Sequence, residues 1–229
     1  MSRLQKYLQR WRGGQVSYAQ CGEDLIVDFI FRSMKKPTPT YLDIGANHPT
    51  QINNTYHFYL KGSQGVCVEP DPFLSENIRR KRKRDLVLNI GIAADENANA
   101  NFYIMTARTL STFSEAEAER YVSYGNQKIE QVIQIPCQTV NAVMKQHFPN
   151  SVDYVSIDVE GKDLEILQSF DFATYRPTVF CLETLSYTED KSERKLSEII
   201  DYMLAQDYLI YADTYINTIF VERTTWQQR

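Results

Sequence analysis

Residues 40–69 constrain the fold more than any other stretch. An apolar segment runs into Asp43-Ile44-Gly45-Ala46-Asn47, a helical segment follows, and a second apolar run, Val66-Cys67-Val68, stops at Glu69-Pro70. Strand, Gly-containing turn, helix and strand make a βαβ unit. In open parallel sheets, ligands bind in the crevice at the carboxyl ends of the strands, beside the N-terminus of the helix that follows the first strand. Gly45 would let the backbone come close to such a ligand. Glu69 is placed to accept hydrogen bonds from a ribose diol, as acidic residues do in dinucleotide folds.

The dinucleotide fingerprint itself is missing. Asn47, His48 and Pro49 follow Gly45 and Ala46, so a pyrophosphate lacks its close-approach glycines. The Asp43 carboxylate suits a ligand with a positive amino acid end better than a phosphate. S-adenosylmethionine combines such an end with a ribose diol and is the expected cofactor. Two other classes compete with this reading. A nicotinamide oxidoreductase needs the missing glycines, and a non-catalytic Rossmann-like binding module needs only the fold.

A chain of 229 residues with 43% apolar content fits one α/β domain with a substantial core. The net charge of −4 gives no global pull toward nucleic acid, and no basic stripe is interleaved with aromatics. No apolar run approaches the roughly 20 residues of a membrane span, and no signal-peptide pattern opens the chain, so a cytoplasmic protein is expected. Cys21, Cys67, Cys137 and Cys181 form no paired motif and read as reduced thiols. His48, His57 and His147 are too dispersed for a metal cage.

Residues 1–39 read as an N-terminal helical segment that packs on or covers the cofactor site, and 40–229 as the cofactor-binding domain. Leu4, Tyr7, Leu8 and Trp11 at helical spacing, among arginines and a lysine, predict a short basic amphipathic helix. It would dock on its own domain or on a dimer mate, with peripheral contact to an anionic membrane surface as the alternative. Tyr18, Gln20 and Glu23 then either start the helix carrying Leu25, Ile26, Phe29 and Ile30 or fold over the pocket. Asp71-Pro72 predicts a helix start. That helix runs into six consecutive cations, 79–84, read as a solvated helix end in preference to a polyanion site.

Residues 86–90 form a third strand whose exit, Asn89, Gly91 and Ile92, would flank an adenine. A strand at 102–105 is followed by a polar excursion at 106–131, read as a lid or substrate insertion, with a surface helix as the plainer option. A strand at 152–159 ends in Asp158-Val159-Glu160-Gly161, and one at 177–184 ends at Glu183. A helix at 191–206 leads to two closing strands, 208–212 and 217–221, whose short turn makes them antiparallel neighbours.

These residues carry a family resemblance. The motifs at Gln20–Asp24 (Q-x-G-E-D), Leu42–Asn47 (L-D-I-G-A-N), Asn54–Tyr59 (N-T-Y-x-F-Y), Val68–Pro70 (V-E-P) and Asp158–Gly161 (D-V-E-G) make the chain similar to the FkbM-family S-adenosylmethionine-dependent methyltransferases. The resemblance spans about 18–221. It implies the class I methyltransferase fold: a Rossmann-like, mostly parallel seven-stranded sheet with a C-terminal antiparallel hairpin and helices on both faces. It also implies O-methylation of a hydroxyl on a sugar, glycan or other small-molecule natural product. The chain departs from the pattern at His48-Pro49, where many members have a further glycine, and at Lys162-Asp163, where a glutamate is common at the second position.

The expected cofactor-binding residues are therefore Gln20, Asp43, Gly45, Asn47, Glu69, Asn89, Gly91 and Asp158. Activating an alcohol requires a base that removes its proton as the oxygen attacks. Asp158 and Glu160 are the first candidates and His48 a further one. No metal is predicted; a divalent ion on Asp158 and Glu183 is the ranked alternative. The carboxylates also have a structural reading, as caps or partners of Lys162.

Overall fold

The computed structural model describes residues 14–94, 99–159, 161–185 and 193–229. The basic helix predicted at 1–12, and Glu160, lie outside the described residues.

The main chain alternates helices and strands: α1 (Glu23–Ser33), β1 (Tyr41–Ile44), α2 (Tyr56–Lys61), β2 (Gly65–Val68), α3 (Pro72–Lys81) and β3 (Leu86–Leu88). After an insertion come α5 (Val140–His147), β7 (Tyr154–Ile157), α6 (Asp163–Ser169), β8 (Val179–Glu183), α7 (Ser197–Ala205), β9 (Tyr208–Asp213), β10 (Asn217–Glu222) and α8 (Arg223–Gln227). The seven strands are ordered β3-β2-β1-β7-β8-β10-β9, the first five parallel and β10 antiparallel to both neighbours. This is the expected parallel sheet with a C-terminal antiparallel hairpin. The last strand, β10, inserts between β8 and β9.

Strands β1, β2 and β7 are buried along their whole length, as central parallel strands covered by helices must be. Their side chains alternate between two cores. Leu42, Ile44, Val68, Val155, Ile157 and Leu182 face α5, α6 and α7 through Met144, Leu167 and Met203. Tyr41, Cys67, Tyr154 and Cys181 face α1, α2 and α3 through Phe31, Phe58 and Ile78. Asp71 caps α3, accepting from the Phe73 and Leu74 N–H groups with Pro72 in the first turn, as predicted.

Register decides what the sheet presents at its edge. Ile44 lies opposite both Val68 and Ile157, and Ile157 lies opposite Leu182. The four strand ends are thus level, and Gly45, Glu69, Asp158 and Glu183 emerge along one rim. Because β1 is flanked by β2 on one side and β7 on the other, that rim contains the topological switch point.

The insertion is larger than the polar stretch 106–131 suggests. β4 (Gly91–Ile92), β5 (Asn99–Met105) and β6 (Ile129–Gln138) form a separate sheet in the order β4-β6-β5, and β5 and β6 pair antiparallel. Proline is disfavoured inside a strand, and Pro136 in β6 sits at the end of the β5–β6 pairing, opposite Asn99. Between the two strands lie a 3₁₀ turn (Arg108–Leu110) and α4 (Glu115–Ser123), whose Ala118 and Tyr121 pack on Tyr103, Met105 and Leu110.

The cation run at 79–84 is not uniformly solvated. Arg80 is exposed and pairs with Glu76, but the Arg82 side chain is 0% exposed. Its Nε donates to Asp85 at 2.6 Å, and its terminal nitrogens donate to Asn53 at 3.0 Å, Thr55 at 2.8 Å and the Tyr41 hydroxyl at 3.1 Å. Asp43 lies 3.9 Å away. Ending α3 at Lys81 turns Arg82 beneath the sheet, where buried carboxylates offset its desolvation.

Cys67, Cys137 and Cys181 are buried and Cys21 is exposed, all as free thiols. Among the described residues, no helix is long and apolar enough to cross a membrane.

Candidate active site

A cavity of about 620 Å³ opens over the rim, within the range of small-molecule sites, roughly 300–1,000 Å³. The residues after β1, β2, β7 and β8 form its floor and walls, and the insertion and the β9–β10 turn complete it.

Gly45 shapes the floor. Its φ is +82°, and a Cβ there would sit 1.8 Å from the Asp158 carbonyl oxygen. Only glycine lets the β1 exit pass so close to the β7 exit, where the Asp158 N–H donates to the Ile44 carbonyl at 3.0 Å. The same contact brings Asp158 to the floor. Asn47 takes a left-handed φ of +48°, a conformation asparagine tolerates, and its N–H donates to Glu69 Oε2 at 2.7 Å.

Glu69 is buried on the β2 side and lines the cavity. Its other oxygen accepts from the Asp71 N–H at 2.8 Å. Burial pushes its carboxyl up to about 8, against the two backbone N–H groups that favour the charged form. Gly91 and Ile92 line the same end, and Asn89 stands behind it, donating to the carbonyls of Glu69 and Pro70 at 2.9 and 2.8 Å. The insertion contributes Arg108, Leu110 and Phe113 to this wall, and Arg108 is ion-paired with Asp71 and lies over the Phe73 ring.

Asp158 and Glu183 form the opposite wall and are hydrogen-bonded to each other. Burial, with the Asp43 charge behind it, raises the Asp158 carboxyl to about 6. Asp163, buried in the first turn of α6, is raised to about 7 by burial and by Asp158, against backbone hydrogen bonds that favour its charge. Among the described residues, no cluster of three or more His, Cys, Asp or Glu side chains is arranged to hold a metal ion.

The remaining predicted residues divide. Gln20 lines the cavity, and so does His48. His48 Nδ1 accepts from the N–H groups of Thr50 and Gln51 at 3.2 and 3.0 Å, and burial lowers its pKa. The neutral ring therefore carries its proton on Nε2 and offers the cavity a donor. Asp43 is not on the cavity wall: its carboxylate accepts from Thr55 Oγ1 at 2.6 Å, beside Asn53 and Arg82. Side-chain alternation explains this, because a residue two places before the turn points to a sheet face and not out of the rim.

Sequence reasoning missed two supports of the site. Arg82 holds Asn53, whose amide in turn donates to the carbonyls of Ala46 at 2.9 Å and His48 at 3.2 Å, fixing the turn. Glu23 accepts from Thr214 Oγ1 at 2.7 Å and Asn217 Nδ2 at 3.1 Å, tying the start of α1 to the β9–β10 turn. In the sequence Glu23 reads as a helix-entrance acid, but its partners lie nearly the whole chain away.

The profile of the Methyltransferase FkbM domain matches residues 43–210. No curated protein matches the chain. Among solved structures, the chain is similar to a TehB-like SAM-dependent methyltransferase from Corynebacterium glutamicum, at 10% identity and a TM-score of 0.46, covering 95% of this chain and 97% of that one. It is also similar to 1,6-didemethyltoxoflavin-N1-methyltransferase from Burkholderia thailandensis, with bound 1,6-didemethyltoxoflavin and S-adenosylhomocysteine, at 9% identity and a TM-score of 0.45, covering 96% and 86%. An O-methyltransferase from Bacillus cereus in complex with S-adenosylhomocysteine is similar at 10% identity and a TM-score of 0.44, covering 90% and 82%.

Proposed function

The chain belongs to the FkbM methyltransferase family and is an S-adenosylmethionine-dependent methyltransferase, and from that premise we propose that it methylates an oxygen, a hydroxyl of a sugar, glycan or other small-molecule natural product, with Asp158 as the base. The observation that carries the proposal is the placement of Asp158. It sits on the cavity wall opposite Glu69, hydrogen-bonded to Glu183, with its pKa raised to about 6. A carboxylate with a pKa close to neutral is mostly ionised at working pH yet basic enough to take an alcohol's proton during attack.

The residues present fit the cofactor. All of these line the cavity: Glu69, at the β2 exit, would hold a ribose diol, Gly91 and Ile92 would flank an adenine, and the Gly45–Asn47 turn and Gln20 would hold the methionine portion. When bound, S-adenosylmethionine would supply an electrophilic methyl group on a positively charged sulfur, which becomes a neutral thioether once the methyl is transferred. Asp158 would accept the hydroxyl proton as the new O–C bond forms, and the hydrogen bond it accepts from the Glu183 carboxyl holds the carboxylate in place. His48 Nε2–H is available to donate to the acceptor. The walls position the oxygen and exclude water, which is where in-line displacement gains much of its rate. The segment 106–131 acts as a lid over the nucleoside end through Arg108, Leu110 and Phe113.

Calorimetry with S-adenosylhomocysteine tests the cofactor site: the wild type binds, and Glu69→Ala weakens binding by at least about tenfold, a loss of about 1.4 kcal/mol. Absence of binding, or an unchanged affinity in Glu69→Ala, would refute the assignment.

A further inference from the structure

Two residues at the cavity mouth are anomalous in the same way. Ile52, after the β1 turn, and Tyr215, in the β9–β10 turn, are each 61% exposed, although both are large and apolar. Both line the cavity. Both also hold a left-handed backbone, with φ of +46° at Ile52 and +76° at Tyr215. That conformation is uncommon outside glycine and asparagine and an outlier for a β-branched or bulky side chain. Exposed apolar surface and backbone strain at one opening point to a contact made with something outside the chain.

A single segment hydrogen-bonds to both turns. The Tyr18 carbonyl accepts from the Asn53 N–H at 2.9 Å, directly after Ile52. Five residues later, Glu23 holds Thr214 and Asn217 on either side of Tyr215. The Tyr215 N–H donates to Asp213 at 2.7 Å. The strain is thus over-determined by hydrogen bonds, as in a preorganised binding surface.

The groups that share the cavity with this pair define what it takes. Gln51, Asp158, Glu183 and Glu193 line the cavity as amide or carboxylate groups. The cations there are engaged elsewhere, Lys162 with Glu165 at 2.6 Å and Arg108 with Asp71. Carboxylates accept hydrogen bonds from hydroxyls and repel anions. A tyrosine ring and an isoleucine offer an apolar surface to a C–H face.

We propose that Ile52 and Tyr215 are the acceptor platform of this enzyme, and that the acceptor is a neutral polyhydroxylated ring whose C–H face packs on them while its hydroxyls reach the carboxylates. The proposal rests on the methyl-transfer reading above. It sets the acceptor site at the β1 and β9–β10 turns, away from the insertion, which covers the nucleoside end.

Glycine at either position relieves the backbone strain, so fold and function separate in the test. Saturation-transfer NMR with neutral methyl glycosides of glucose, galactose, mannose and rhamnose is run in the presence of S-adenosylhomocysteine, with methyl glucuronoside as the anionic counterpart. The wild type should take saturation onto ring C–H protons of a neutral glycoside and not onto the glucuronoside. In Tyr215→Gly and Ile52→Gly the melting temperature stays level or rises and S-adenosylhomocysteine affinity stays within about twofold. Glycoside affinity falls about tenfold in Tyr215→Gly, which is one lost aromatic contact of about 1.4 kcal/mol, and Tyr215→Phe restores it.

Equal glycoside binding in Tyr215→Gly, preference for the glucuronoside, or no glycoside signal while S-adenosylhomocysteine binds would overturn the platform alone. Failure of the wild type to bind S-adenosylhomocysteine would overturn the methyl-transfer reading and this proposal with it.

Discussion

Replacing Arg82 with methionine should be among the most damaging single changes available outside the cavity wall. The side chain is fully buried, and its guanidinium faces Asp85 at 2.6 Å and Asp43 at 3.9 Å while donating to Asn53, Thr55 and Tyr41. Methionine fills most of the volume but leaves two carboxylates without their cation. Breaking a buried pair by removing one partner costs about 3–5 kcal/mol, a large part of the roughly 5–15 kcal/mol that holds a domain folded. At about 2–4 °C per kcal/mol for a chain of this size, the melting temperature should fall by roughly 6–20 °C. Because Arg82 holds Asn53, and Asn53 holds the carbonyls of Ala46 and His48, affinity for S-adenosylhomocysteine should fall as well. Arg80→Met is the matched control. Arg80 lies two residues earlier, is 70% exposed and pairs with Glu76, so its loss should cost no more than about 0.5 kcal/mol. Urea unfolding of the two variants decides the matter: if Arg82→Met lies within about 1 kcal/mol of Arg80→Met, the buried network is not the support described here.

Gly45→Ala places a methyl group 1.8 Å from the Asp158 carbonyl at a φ of +82°, and should cost about 3 kcal/mol or more through strain and overpacking combined; a near-native melting temperature would contradict the close passage of β1 against β7. The rate of methyl transfer should rise with pH through about 6 as Asp158 loses its proton, and Asp158→Asn should lower kcat by about 10²–10⁴ and abolish that limb; a profile still rising near 6 in the variant would assign the limb to another group. Glu69, raised to about 8, and Asp163, raised to about 7, hold protons in the native state that the unfolded chain has already released. Their contribution is present below the ordinary carboxylate range and is lost as pH rises through 7 and 8, so unfolding free energy should drop by on the order of 4 kcal/mol between pH 6 and 9, at about 1.4 kcal/mol per unit per proton. Glu69→Gln should flatten that fall, and a stability that climbs over the same interval would reverse the assignment.

The alternating segments and the polar residues at the ends of their apolar strands can be read from the chain itself, because strand burial and turn formation follow local spacing, while the register that levels those ends comes from the sheet pairing. Glu69, Gly45 and Asp158 each stand at the end of an apolar run, and level parallel strands bring such ends together at the cavity. Tertiary structure decided the rest, and the deciding groups were charged. Asp43 belongs to the same motif as Gly45 yet bonds to Thr55 behind the cavity. Arg82 stands in a run of six cations that looks uniformly solvated, and only Asp43 and Asp85 make its burial tolerable. Glu23 meets Thr214 across 191 residues of chain. The fate of a charge depends on which partners the fold brings to it, since desolvation is offset only by specific opposite charges and donors. Apolar periodicity carries no such information, so the sequence marked the rim of the site while long-range packing chose which carboxylates line it.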